Sequence, residues 1–277
     1  MKLKSLAILA AVVGLAGCTL PNQPITNPIP GSSSITGNWE LTVTSTQTPY
    51  TGDTMPIGIY LTTTGNTVSG TASISVPCPA FGCAWPTVTI NRQLSGTIDA
   101  DDNLVLTSTQ STNMVFTLTA KNTGKSLENG TYTLSNGGAI VDQGTVTGSW
   151  FPPLNGTYSG TVISSISGQS IGVTTTLNES TTLNSRGYLD VTGSANITGE
   201  SCFNAATMTG LADSSGMVGN SFVVTLVATN NPSIFIDEFG TLSQDGKTIQ
   251  FTYLVVDIKG SGTCDSNDLT TGTLTLQ

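Results

Sequence analysis

Hydrophobic and polar residues alternate one for one along most of this chain. Trp39, Leu41 and Val43 are separated by polar residues, and Val68, Gly70, Ala72, Ile74 and Val76 keep the same spacing, as do Leu189, Val191, Gly193, Ala195 and Ile197. A period of two puts successive side chains on opposite faces of an extended backbone, so each run predicts a strand with one face in a core. Beyond residue 34 no stretch keeps the 3.6-residue spacing of an amphipathic helix. Gly, Asn and Asp clusters such as Thr64-Gly65-Asn66, Asn122-Thr123-Gly124 and Gln244-Asp245-Gly246 cut the alternation into short pieces. The pattern predicts eight strands in the first half, near 37–47, 57–64, 67–76, 88–99, 103–110, 114–121, 128–135 and 139–149. Eight more fall near 156–166, 170–178, 187–198, 206–213, 217–229, 233–239, 248–258 and 270–277.

The two halves repeat one another. Ile35-Thr36-Gly37-Asn38-Trp39 answers Leu154-Asn155-Gly156-Thr157-Tyr158, and Val68-Ser69-Gly70-Thr71-Ala72 answers Val191-Thr192-Gly193-Ser194-Ala195. A constant order with drifting offsets means loop insertions in a shared topology, which predicts two homologous domains at 35–150 and 154–277. Eight antiparallel strands in sequence order predict an all-β chain in which each domain is an up-and-down β-barrel, because closure removes exposed edges. A β-sandwich of Greek-key connection uses the same strands and is the alternative. Gly37-x-Trp39 resembles the first strand of lipocalin-like and avidin-like barrels, and the second copy keeps Gly156 with Tyr158 in the Trp place. The resemblance implies a meander barrel and no more. Glu40-Leu41-Thr42 stands where avidins carry Asn and Ser ligands, and the only arginines, Arg92 and Arg186, are not in the late-barrel place of the lipocalin Arg.

The first residues depart from this pattern. Lys2 and Lys4 precede an apolar run from Leu6 to Leu15, and Leu15-Ala16-Gly17-Cys18 resembles the lipobox of bacterial lipoproteins. The resemblance implies removal of residues 1–17, lipids on Cys18, and attachment to the membrane through them; Thr19, rather than Asp, after the cysteine implies the outer membrane of the cell envelope. Residues 18–34 hold the cysteine and a Pro- and Ser-rich tether.

Composition narrows the chemistry. The 277 residues carry 8 basic and 17 acidic side chains and no His, a net charge of −9. Nucleic-acid binding is excluded for want of clustered cations. Without His there is no Ser-His-Asp triad and no ordinary catalytic zinc. Gly168-Gln169-Ser170-Ile171-Gly172 matches the nucleophile-elbow pattern but lacks its helix and base, and Asp237-Glu238, adjacent on a strand, must point to opposite faces. Asp99, Asp101, Asp102 and Asn103, like Asp265, Asn267 and Asp268, offer hard oxygens without a closing Glu. The expectation is a chain with no enzyme activity, cofactor or metal.

Cys78, Cys83, Cys202 and Cys264 remain once Cys18 is lipidated. An even number in an exported chain predicts two disulfides, with 78–83 and 202–264 the most economical of the three pairings. These cysteines fall in the longer connections, all at one end of each meander. That looped rim also holds Tyr50, Phe81 and Trp85 in the first copy and Phe203 in the second, the candidate contacts for a small apolar or glycan-like ligand. The other reading of these aromatics is core capping, in a structural or adhesive envelope protein. The stiff connector Trp150-Phe151-Pro152-Pro153 predicts barrels joined near their short-turn ends, looped rims pointing away from each other.

Overall fold

The computed structural model describes residues 34–77, 87–108, 113–200, 205–207, 216–229, 231–257 and 269–277. All regular elements among them are strands. The first eight are β1 (Gly37–Ser45), β2 (Thr54–Thr64), β3 (Thr67–Pro77), β4 (Thr87–Ile98), β5 (Asn103–Ser108), β6 (Met114–Asn122), β7 (Ser126–Asn136) and β8 (Ala139–Phe151). Each pairs antiparallel with the next, and β8 returns to β1 with Trp39 opposite Trp150, closing a barrel.

The second half continues with β9 (Asn155–Ile163), β10 (Ser170–Leu183), β11 (Leu189–Thr198), β12 (Ala205–Thr207), β13 (Gly216–Val218), β14 (Ser221–Ala228), β15 (Ile234–Leu242), β16 (Thr248–Asp257) and β17 (Leu269–Leu276). β17 pairs with β9, and both β12 and β13 lie between β11 and β14, so these nine pieces make eight staves of a second closed barrel. Both domains are therefore up-and-down barrels and not sandwiches.

The second barrel differs from expectation at one stave. The run read as a strand over 217–229 is a hairpin: β13 turns at Gly219 (φ 71°) and Asn220 into β14. Upstream, the strand read at 206–213 is β12 only as far as Thr207, and the remainder lies outside the described residues. From Ala206 to Met217 the chain advances eleven residues, while its partners on either side, Ala195 to Leu189 and Ala228 to Phe222, advance six. The fourth stave thus carries five residues more than its place in the wall requires.

Each lumen is filled by the inward half of the alternation. Trp39, Leu41, Ile57, Ile59, Leu61, Leu104 and Leu106 are buried in the first barrel, and Tyr158, Leu177, Val191, Ile236, Phe251 and Tyr253 in the second. The polar atoms of the large rings find partners within the fold: Trp39 Nε1 donates to Ile35 O at 2.8 Å, and Tyr158 Oη to Gly246 O at 3.1 Å. The inward glycines do not mark empty space. A Cβ on Gly193 would lie 2.7 Å from Thr176 O and 2.9 Å from a Leu177 methyl, so the glycine admits the neighbouring strand.

The barrels meet at an asymmetric seam, in which only the second barrel uses its short-turn end. The short-turn rim of the second barrel packs on the outer wall of β1 to β3. Thr71 Oγ1 donates to Gly187 O at 2.8 Å, Asn38 Nδ2 to Glu179 Oε1 at 3.1 Å, and Asn220 N to Glu40 Oε2 at 3.4 Å. Gly58 lies under the β13–β14 turn, where a Cβ would come within 2.6 Å of Val218 O.

Candidate functional site

Of the residues the sequence singles out, the structure describes Tyr50 at the looped rim of the first barrel. It is 38% exposed, in a loop folded on itself by hydrogen bonds from Tyr50 N to Gln47 O and from Asp53 N to Tyr50 O. Phe81, Trp85 and Phe203 lie outside the described residues, as do Cys18, Cys78, Cys83, Cys202 and Cys264. The strand ends put the connection between β11 and β12, which includes Cys202, and that between β16 and β17, which includes Cys264, on one rim of the second barrel.

Beneath the first looped rim three inward polar groups close on each other. Ser45 Oγ and Tyr132 Oη each donate to one oxygen of Asp142, at 2.6 Å, and Gln143 N donates to it at 2.9 Å. Burial, then the neighbouring carboxylate, push the Tyr132 hydroxyl pKa upward, so it stays protonated as the donor. This network ties the β7–β8 hairpin to β1, and both carboxylate oxygens have partners.

The second lumen is different. β10 and β15 stand four places apart around the eight-stave wall, on opposite sides, and Thr175 Oγ1 reaches across to Glu238 Oε2 at 3.2 Å. Glu238 is fully buried and its Oε1 has no hydrogen-bond partner. Burial pushes its pKa up to about 8, against the lowering effect of the Thr175 hydrogen bond. Its neighbour Asp237 faces outward and accepts from Thr225 Oγ1 at 2.8 Å, the opposite-face arrangement that adjacency on a strand requires. Toward the looped rim, Tyr253 Oη approaches Glu200 Oε2 at 3.3 Å.

A third place is on the outside. An open groove of about 600 Å³ crosses β14 to β17. Its floor is two outward rows in register, Ser221-Thr241-Gln250-Thr273 and Phe239-Thr252-Thr271, and Phe239 is 40% exposed. Thr273 Oγ1 donates to Gln250 Oε1 at 3.2 Å, which orients the amide. Alternation could have flagged Phe239 as an outward aromatic, but not the four-strand register that builds a floor around it.

The candidate cation turn in the first barrel satisfies itself: Asp99 accepts from Asn103 Nδ2 at 2.9 Å, from Asn103 N at 2.8 Å and from Asp101 N at 2.9 Å, and these bonds, the Asn103 side chain first, lower the Asp99 pKa. The elbow-like Ser170 opens β10 after a strand-to-strand connection, with no helix following.

No family model matches this chain, and no curated protein matches it. Among solved structures it is similar to a protein of unknown function from the DUF3598 family of Nostoc punctiforme, at 13% identity over 88% of this chain and 96% of that one, with a TM-score of 0.26. A likeness at that level carries no functional argument.

Proposed function

We propose that this chain is a lipid-anchored, non-catalytic binding protein of the bacterial cell envelope that takes a glycan-like chain in the groove outside its second barrel. The observation that carries the reading is the floor of that groove, an exposed Phe239 ring set among Ser, Thr and Gln side chains on four neighbouring strands. A sugar presents C–H groups on its faces and hydroxyls at its edges, which suits an aromatic ring flanked by hydroxyl and amide groups. The cross-strand spacing of about 4.8 Å repeats those groups along the groove. A large apolar ligand in a lumen has less support, because both interiors are occupied by their own buried rings and aliphatic chains.

Two measurements test this. A Phe239→Ala chain, compared with the wild type on an array of neutral oligosaccharides, should lose at least tenfold in affinity without a change in melting temperature. Equal binding by both, or none by the wild type, sinks the glycan reading. A Cys18→Ser chain should leave the membrane fraction for the soluble one.

The structural or adhesive reading has one observation in its favour. Ile140 (52% exposed) at the first looped rim and Ile166 (55%) at the second leave aliphatic surface open at both barrels, which suits contact with another macromolecule.

A further inference from the structure

The two barrels can be superposed residue by residue through their registers. Trp39 pairs with Ile59 as Tyr158 pairs with Thr175, and Tyr132 pairs with Leu118 as Tyr253 pairs with Glu238. The cross-lumen pair Thr175 and Glu238 therefore occupies the places of Ile59 and Leu118. Both of those are buried and apolar, and the first barrel closes without any buried carboxyl there. The fold does not need Glu238. A carboxyl with an unpartnered oxygen in that position opposes stability, which makes it a feature retained for another reason.

A second difference lies beside it. Ala72 pairs with Arg92 as Ala195 pairs with Ala206, so the first barrel has an Arg where the second has an Ala. Arg92 shares the inward face of β4 with the buried Leu94 and Ile98. The side-chain volume and the positive charge that Arg92 supplies on that stave are both missing from the second barrel. Ala206 is flanked by its partners Ala195 and Ala228, all three buried, so this row presents only methyl groups where the first barrel has the Arg92 chain.

We propose that the second lumen binds a small organic ammonium ion, its nitrogen donating to Glu238 Oε1 and its short alkyl chain lying against the Ala195-Ala206-Ala228 row. The ion restores in trans the cation that Arg92 brings to the first barrel. Tyr253, directly across from Glu238, and Phe251, whose ring centroid is 6.4 Å from that of Tyr253, offer aromatic faces to the charge. Glu200 near the Tyr253 hydroxyl puts a second carboxyl toward the looped rim, and the net charge of −9 favours cation entry. When the ion binds, the carboxyl gives its proton to solvent and becomes the counter-ion, so the site exchanges one positive charge for another. This inference rests on the lumen and is independent of the groove.

Calorimetry on the whole chain with n-butylammonium chloride, against n-butanol and sodium chloride as controls, tests it. Saturable binding of the ammonium salt alone, at millimolar concentration or below, is expected. Ala206→Leu, which adds bulk to the alanine row and keeps the carboxyl, should weaken it at least tenfold, while Phe239→Ala leaves it unchanged. A Thr175→Ile, Glu238→Leu double variant, which copies the first barrel, should melt no lower than the wild type and bind nothing. No saturable binding to the wild type, binding retained in Ala206→Leu or in the double variant, or a lower melting temperature in the double variant would each overturn the assignment.

Discussion

At the scale of single residues the most informative side chain is Glu238. Its pKa is raised from 4.5 to about 8, so the fold favours the neutral carboxyl. Stability from this group is fully present below about pH 4.5 and is lost as pH rises through 8, by an amount on the order of 5 kcal/mol. Chemical denaturation from pH 5 to 9 should show this fall in the wild type, and Glu238→Leu should reduce its slope to the part contributed by Glu40 and Glu179 while raising stability at the alkaline end. A flat wild-type profile would refute the buried neutral carboxyl. Sequence alone placed Asp237 and Glu238 on opposite faces, because that follows from a period of two. It could not show that Glu238 faces Thr175, since the two are 63 residues apart in sequence and meet only when the wall closes.

At the scale of strands, the meander was legible because three independent signals agreed: alternation, turn chemistry and the internal repeat. At the fourth stave of the second barrel the alternation over 206–213 and 217–229 predicts two plain strands, more regular than what the chain builds. Gly219-Asn220 is a two-residue turn signal inside a hydrophobic run, and it was the clue that the run 217–229 is a hairpin. The extra five residues were invisible, because a surplus appears only when the register on both sides is counted. Since the wall needs six residues where the chain supplies eleven, deleting five between Thr207 and Gly216 should leave the barrel closed. The expected result is an unchanged or higher melting temperature by circular dichroism, since shortening a connection lowers its closure entropy. Loss of the cooperative transition would show that the surplus is structural.

At the scale of the whole molecule, the expected contact near the short-turn ends holds for the second barrel only, since the first offers the outer wall of β1 to β3. The rim-on-wall geometry was out of reach, because it depends on which outward residues are small enough to be covered. Gly58 on the wall and Gly219 in the turn meet without side chains: at Gly219 φ is 71° and a Cβ there would sit 2.7 Å from Gly58 Cα. Gly219→Ala should cost about 2 kcal/mol, from left-handed backbone strain and from pushing the barrels apart, measurable by thermal unfolding. The seam also half-buries one carboxyl from each barrel. Desolvation raises Glu40 and Glu179 to about 7 each, partly offset by hydrogen bonds from Asn220 N and Leu154 N. Tyr60 and Tyr158, which feel the Glu179 charge, are the titrating neighbours. Docking is therefore strongest in acid and weakens as pH rises through 7. Limited proteolysis at the Trp150–Pro153 connector should accelerate between pH 5.5 and 8.5, and Glu40→Gln with Glu179→Gln should remove that dependence. Equal cleavage at both pH values would count against the seam as a titrating contact.

The pairing of first and last strands in each barrel also sets an order in time. Neither wall can close until its final stave exists, so the long-range contact between β1 and β8 must wait for Phe151, and that between β9 and β17 for Leu276. A chain delivered from its N-terminus can complete the first barrel while most of the second is still arriving. The finished outer wall of β1 to β3 is then a ready template on which the turn at Gly219 settles, and the younger barrel assembles against the older one.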